Sequence, residues 1–281
     1  MKIRFYASGK AYDHSIAKAI MSGLVRAGER NVLTVSNDRY DPDVDVAIIV
    51  GVKNSHIMER HLADGKRVVY IDKPYDRSED SYRVSFDGHQ PTDYFMNVDR
   101  ESDRVKRFKW LPGALKHFSH VDPILIAGSS AKYHQMKELV DPTSYAAGIV
   151  ADIRRIGCAR EIVYRPKPSW KDAVDIKGTR RSVAKRIADE LRYSFVLVTY
   201  GSNACFDALI EGVPSIVLGD GVTRAVSSTS LEDIDNPRAE PWSDRYELLR
   251  NLAYCQWKYQ ELEDGTFWRF ARGELDRLTK G

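Results

Sequence analysis

The chain has 281 residues, of which 43% are hydrophobic and 30% charged, and its formal net charge is +3. That length is long for one core and suits two domains, and the mix is that of a soluble globular protein. Apolar runs such as Val46 to Val50 fall far short of a membrane span, and Cys158, Cys205 and Cys255, widely spaced without a CxxC, argue against a disulfide framework and read as reduced thiols.

The N-terminus opens on a strand pattern and shows no signal-peptide pattern, so a cytoplasmic location is expected. Lys2 to Ala7 alternates and predicts the first strand; Ser8-Gly9-Lys10 is a turn. Asp13 fits a helix cap before the apolar face Ile16, Ala17, Ile20, Leu24 and Val25. Strands follow at Asn31 to Val35 and Val44 to Val50, a helix at Asn54 to Ala63, and a strand at Arg67 to Ile71 that ends in Asp72-Lys73-Pro74. Alternating strands and helices predict a parallel sheet with crossover helices. The stretch from Asp76 to Leu111 is polar and aromatic, with one strand at Tyr82 to Phe86 and Tyr94, Phe95 and Trp110 expected against it.

A second α/β series starts at Pro123. Ile124 to Ala127 is a strand followed by Gly128-Ser129-Ser130; helices are expected at Ala131 to Val140 and Ser144 to Ile156. The strand Glu161 to Tyr164 runs into Arg165-Pro166-Lys167-Pro168, and a helix is expected over Ser182 to Leu191. Phe195 to Thr199 is a β-branched apolar run; Tyr200-Gly201-Ser202-Asn203 turns the chain into the helix Ala204 to Glu211, which Gly212 stops before the strand Ser215 to Leu218. Val222 to Pro241 is loop, and helices are expected from Ser243 to about Leu262 and from Thr266 to Leu278.

In an open parallel sheet ligands bind beyond the C-terminal strand ends. Gly128, Ser129 and Ser130, then Arg165 and Lys167, then Gly201, Ser202 and Asn203, then Gly219, Asp220 and Gly221 stand at four such ends. Free backbone N–H groups at a helix N-terminus favour an anion, a diphosphate above all, and the two cations neutralise phosphates. Asp207 and Glu211 lie on the helix after the third turn. Glu211 opposes the helix dipole, so it either is a solvated helix end or serves a ribose hydroxyl. GxGxxG and Walker A patterns are lacking, which argues against a nicotinamide dehydrogenase and a P-loop kinase. In the first half Asp72 ends a buried strand; Asp13 and His14 follow the first strand, with capping and solvated readings beside the catalytic one. Arg104 to Lys109 holds four cations and Lys177 to Arg186 five with no anion, which suggests a polyanionic partner beside the plain reading of a solvated face.

The second half resembles the GT-B glycosyltransferases. Arg165 to Pro168 (RPKP) looks like the RPHP motif of capsule and surface-glycan transferases, with Lys167 at the His position. Thr199 to Pro214 (TYGSNACFDALIEGVP) looks like their TxGSxxxxEALxxGxP segment, with Asp207 at the Glu position, and Trp242 to Trp268 resembles tails of capsule-type and phage-encoded members. The resemblance implies two Rossmann-like α/β domains with a cleft: an acceptor domain over residues 1–118 and a donor domain over 119–281 whose last helices return to the first. It implies an enzyme that moves a sugar from a nucleotide-diphosphate sugar, UDP-glucose being one, to an acceptor hydroxyl without an obligatory metal. Short members include phage enzymes, active in the host cytoplasm, that glycosylate hydroxymethylpyrimidines in DNA. The first expected acceptor is therefore duplex DNA, with Arg104, Lys106, Arg107, Lys177, Arg180 and Arg181 on its phosphates and the Asp87 to Tyr94 loop at a flipped base. A surface glycan is the alternative acceptor, and a non-catalytic nucleotide- or DNA-binding module the alternative to an enzyme.

Overall fold

A computed structural model describes residues 1–7, 11–36, 39–77, 80–91, 93–116, 119 and 121–280. The turn Ser8-Gly9-Lys10 and the side chains of Asp13 and Tyr94 lie outside what is described. In chain order the first elements are β1 (Ile3–Tyr6), α1 (Ala11–Arg26), β2 (Val32–Ser36), β3 (Val46–Val50), α2 (Ser55–Ala63), β4 (Arg67–Asp72), β5 (Ser81–Phe86) and α3 (Asp93–Met96). Then come α4 (Asp103–Phe108), β6 (Ile124–Ala127), α5 (Ala131–Met136), α6 (Pro142–Arg155), β7 (Ile162–Arg165), β8 (Arg180–Arg181), α7 (Ile187–Leu191), β9 (Val196–Thr199), α8 (Ala204–Glu211) and β10 (Ser215–Val217). The chain closes with α9 (Trp242–Leu252), β11 (Gln256–Lys258), α10 (Tyr259–Glu263) and α11 (Thr266–Lys280).

The chain forms two compact units. The first joins Met1–Asp99 to Tyr254–Gly281, and the second is Arg100–Ala253. The sequence-based boundary was drawn instead at 118/119.

In the first unit the strand order is β11-β5-β4-β3-β1-β2. The pairs β1–β2, β1–β3 and β3–β4 are parallel, while β4–β5 and β5–β11 are antiparallel. β3 is buried along its whole length, as the near-continuous apolar runs of a sheet covered on both faces require. Ile57 and Met58 of α2 pack on Tyr6, Ala47, Ile49, Val68 and Tyr70. Phe95 stacks on Phe86 with centroids 5.4 Å apart. Trp110 belongs elsewhere: it stacks on Phe108 and meets Phe206 edge-on, both in the second unit, so its expected place against β5 is corrected.

The second unit has the order β10-β9-β6-β7-β8, with every pair parallel. Numbered within the unit this is 5-4-1-2-3, and the order reverses between β6 and β9, where a doubly wound sheet binds its ligand. Its core holds Ile126, Ile149, Ile153, Ile162, Tyr164 and Val198 with their neighbours. α8 ends where Gly212 takes the left-handed conformation, φ 72°, which a Cβ would strain.

Two expected helices are corrected. Arg180 and Arg181 form the short edge strand β8, so the helix expected over Ser182 to Leu191 shrinks to α7. The helix expected from Ser243 to Leu262 breaks after α9, and β11 and α10 replace its second half. Among the described residues no helix is long and apolar enough to cross a membrane.

Candidate functional site

Because all five strands of the second unit are parallel, the turns after β6, β7, β9 and β10 emerge at one edge. Register fixes their neighbours: Ala127 lies beside Arg165, Ile126 beside Val198 and Val217 beside Thr199. The Gly128 N–H donates to the Arg165 carbonyl at 2.9 Å, which pins the β6 turn to the Arg-Pro-Lys-Pro segment. Thr199 Oγ1 donates to the Ala127 carbonyl at 2.9 Å and accepts from the Ser202 N–H at 3.2 Å. The two turns at the reversal point are thus cross-tied by one hydroxyl.

Three helices start near this edge, and their N-termini differ. Ser130 caps α5 by accepting from the Tyr133 N–H at 3.3 Å. Asp141 caps α6 by accepting from the Thr143 and Ser144 N–H groups at 2.9 and 3.1 Å. At α8 the N-cap residue Asn203 makes no side-chain cap, and the Ala204 N–H donates to Ser202 Oγ at 3.3 Å. An anion at α8 would meet the positive end of the dipole without displacing a carboxylate, exchanging only the contact of the Ser202 hydroxyl with the Ala204 N–H. Ser129 adds a second feature, since its Oγ is buried without a hydrogen-bond partner and the residue is 4% exposed. A buried hydroxyl left unpaired is costly, and a ligand oxygen would satisfy it.

Tyr133 of α5 lies against the β9 turn. A Cβ built on Gly201 would come within 2.4 Å of the Tyr133 hydroxyl oxygen, so a side chain there would have to displace it. That hydroxyl donates to Asp220, whose other carboxylate oxygen pairs with Lys137 at 2.8 Å. Burial pushes the Asp220 carboxyl up, but the Lys137 and Tyr133 donors outweigh it and hold the pKa below the usual value. Tyr200 touches the rings of both Tyr133 and Tyr145, and burial pushes the Tyr145 hydroxyl up to about 12. Tyr133 and Lys137 were missed in the sequence, although Tyr133 lies on the helix after Gly128-Ser129-Ser130 and Lys137 caps its C-terminus one turn later, and a short helix after such a turn is where to look.

The other expected donor residues fare differently. Arg165 Nη1 donates to Ser182 Oγ and the Ala184 carbonyl at 2.9 and 2.6 Å, and Nη2 to the Lys185 carbonyl at 3.1 Å. Its guanidinium braces the loop after β8. Lys167 is half-buried, two residues beyond it, and its carbonyl accepts from the Trp170 N–H at 2.8 Å. Asp207 lies in the first turn of α8. Glu211, at its last residue, pairs with Arg192 at 3.5 Å.

In the first unit Asp72 ends β4 directly opposite Arg83 of β5. Its Oδ2 accepts from Arg83 Nη2 at 3.1 Å and from the Tyr70 hydroxyl at 3.2 Å, and its Oδ1 from the Lys73 N–H at 2.8 Å. Burial pushes the Asp72 carboxyl up, and the Arg83 charge, the Lys73 N–H, His89 and the Tyr70 hydroxyl pull it down further, so its pKa lies below the usual value. Arg83 was also missed; a lone arginine in the apolar strand Tyr82 to Phe86 is its signal. His14 is exposed in the first turn of α1.

The expected phosphate contacts divide. Lys106, Arg107 and Lys177 are exposed. Arg104 is buried, 6% exposed, and its Nε donates to the Ala253 carbonyl at 3.1 Å. It is a structural side chain, and its assignment to DNA is corrected. Arg180 pairs with Glu161 at 2.8 Å and Glu190 at 3.4 Å, and Arg181 with Asp175 at 3.0 Å. The run that holds no anion in sequence is met by anions in space. Among the described residues no group of three or more His, Cys, Asp and Glu could hold a metal ion.

No family model matches the chain, and no curated protein does. The chain is similar to two solved structures from Thermosulfurimonas dismutans. One is the KpsC beta Kdo 2,7 transferase, at 14% identity and TM-score 0.56, covering 91% of this chain and 92% of that one. The other is the KpsC beta Kdo 2,4 transferase, at 13% identity and TM-score 0.50, covering 91% of each. This likeness shows the fold: α/β, with two Rossmann-like domains of GT-B type.

Proposed function

We propose that the chain is a glycosyltransferase that takes a sugar from a nucleotide-sugar donor held by the second unit and passes it to an acceptor hydroxyl held by the first. The observation that carries this reading is the strand-end cluster of the second unit. There the α8 N-terminus, which no carboxylate caps, the unpartnered Ser129 Oγ and the Arg165-Pro166-Lys167-Pro168 turn stand on one sheet edge beside the reversal of strand order. Such a cluster suits phosphate oxygens. The likeness in fold to two transferases of the sugar Kdo supports it.

In the proposed step the acceptor oxygen attacks the anomeric carbon, and the bond from that carbon to the phosphate oxygen breaks. The acceptor proton passes to a base on the first unit, and the leaving nucleotide departs with the bonding pair. The α8 N-terminus and Lys167 stabilise the charge that grows on that nucleotide. Asp72 is the first candidate base, kept ionised by Arg83; Asp13 and His14 are the next. Arg165 positions the loop after β8.

For the acceptor we favour a glycan over duplex DNA. Three of the six cations first expected on DNA are already engaged: Arg104 is buried, and Arg180 and Arg181 are ion-paired. Within the loop expected at a flipped base, Asp87 accepts from Arg67 and from the Val68 N–H, which ties it to β4. The two KpsC neighbours are Kdo transferases by name, which supports a sugar acceptor over a nucleic acid.

A panel of nucleotide sugars tests the reading, with donor binding followed by calorimetry and nucleotide release by turnover. At least one donor should bind and be hydrolysed slowly without acceptor. Lys167→Ala should weaken that donor roughly 10–100-fold, the effect of losing a charge-assisted bond, and Ser129→Ala about 2–10-fold, that of a neutral one. A chain that binds no nucleotide sugar, or binds one with both variants unchanged, rules the assignment out.

A further inference from the structure

The first unit contains a pocket of about 520 Å³ that no strand-end residue discussed so far lines. The volume falls in the range of small-molecule sites, roughly 300–1,000 Å³. One wall is the outer flank of α2, carrying His56, Ile57 and Arg60 with Asp64 just past its end; the other is the segment after β2, with Arg39 and Tyr40. From His56, next to the C-terminal edge of the sheet, to Asp64 the helical rise makes the pocket about 12 Å long. Ile57 is buried at its floor, while Arg39, His56 and Arg60 are exposed.

The chemistry of the walls is specific. The Arg60 guanidinium carbon stands 4.1 Å from the centroid of the Tyr40 ring. Stacking occupies the face of the guanidinium and leaves its in-plane N–H fork for an acceptor. The Tyr40 hydroxyl donates to Asp64, which gives that carboxylate a donor of its own. Two arginines against one engaged carboxylate make the pocket cationic. Planar forks match a carboxylate bidentately. The Asp64 charge in the wall repels a dianionic phosphate more than a singly charged carboxylate. A lining with one buried apolar side chain suits a hydroxyl-rich ring rather than a lipid.

We infer that this pocket binds a carboxylate-bearing sugar of the acceptor, with the carboxylate between Arg39 and Arg60. Calling that sugar an acceptor rests on the glycosyltransferase reading; the binding itself does not. The full chain is titrated with D-glucuronate, with D-glucose as the neutral twin and with inorganic phosphate. Binding is followed on the arginine Nε–H resonances by NMR, assigned through Arg39→Gln and Arg60→Gln. Glucuronate should shift both resonances saturably and glucose neither. Arg60→Gln should weaken glucuronate roughly 10-fold or more, with melting temperature and uridine diphosphate affinity unchanged. No saturable shift, equal shifts with glucose, or phosphate saturating the pocket below the glucuronate concentration would overturn the inference. Glucuronate binding in a chain that transfers no sugar would keep the pocket and sink the transferase reading; transfer without glucuronate binding would do the reverse.

Discussion

Arg83 explains why Asp72 is where it is. The arginine is 2% exposed, its guanidinium carbon lies 5.9 and 5.6 Å from the Tyr70 and Tyr75 ring centroids, and Nη1 donates to Gln90 Oε1 at 2.9 Å. A buried cation needs a counter-charge, and removing the partner of such a pair typically costs about 3–5 kcal/mol. Asp72 is 30% exposed on its side chain, which places the expected loss at the lower end, about 3 kcal/mol. The sign with pH follows from the direction of its shift. The folded-state pKa lies below the unfolded value, so this stabilisation is full above the unfolded pKa, near 4, and fades as pH falls through the folded one. Asp72→Asn should therefore lower the melting temperature at pH 7, and the gap to wild type should narrow below about pH 4. Turnover per folded molecule reads the second role: a loss of about 10²–10⁴-fold assigns Asp72 as the base. Unchanged turnover would leave it as a clamp for Arg83 and pass the base to Asp13 or His14. An unchanged melting temperature at pH 7 would contradict the clamp.

At the scale of elements, the strand-end turns are held in shape by a few contacts that sequence does not display. Gly201 and Tyr133 are 68 residues apart, yet the ring leaves no room for a side chain on the β9 turn. Gly201→Ala should lower the melting temperature, because the new methyl must displace the hydroxyl that donates to Asp220. Tyr133→Phe in the same chain should recover part of the loss, since the next atom, Cζ, stands at 3.1 Å. The two changes should couple in a double-mutant cycle; purely additive losses would show that the turn and the ring are independent.

The same distinction sets what was legible. The β6, β9 and β10 turns were readable because apolar runs, small residues and a helix-stopping glycine are local signals. The cap on α5 was not: the Ser130 hydroxyl, read only as a donor-site residue, also accepts from the Tyr133 N–H. β11 was hidden because Gln256, Trp257 and Lys258 pair with Arg83, Tyr82 and Ser81, a long-range ladder inside a stretch with helical spacing. The cationic run from Lys177 misled for a related reason: Glu161 and Glu190 reach Arg180 from neighbouring elements.

At the scale of the molecule, the first unit is discontinuous. Its N-terminal segment supplies five strands of the sheet, and the C-terminal segment adds the sixth, β11, along the edge of β5. Without β11 that edge would present a row of unpaired backbone groups. α1 packs on α10 and α11, and the approach is close: a Cβ on Gly23 would lie 2.0 Å from the Leu262 carbonyl oxygen. Trp268, 2% exposed, donates its indole N–H to Glu29 at 3.0 Å, and Phe267 meets Trp257 with centroids 5.3 Å apart. Arg67 Nη2 reaches the Leu278 carbonyl at 2.5 Å. Burying two large aromatic side chains alone supplies several kcal/mol at roughly 1.5–3 kcal/mol for a large apolar side chain, a sizeable share of the about 5–15 kcal/mol that holds an ordinary domain folded. A chain ending at Ala253 should therefore lose the cooperative unfolding of the first unit in calorimetry. The second unit, Arg100–Ala253, keeps all five of its strands in that truncation and should still melt cooperatively and bind the nucleotide. A truncated chain whose heat-capacity trace matches that of the full chain would show that the N-terminal segment folds without its return segment.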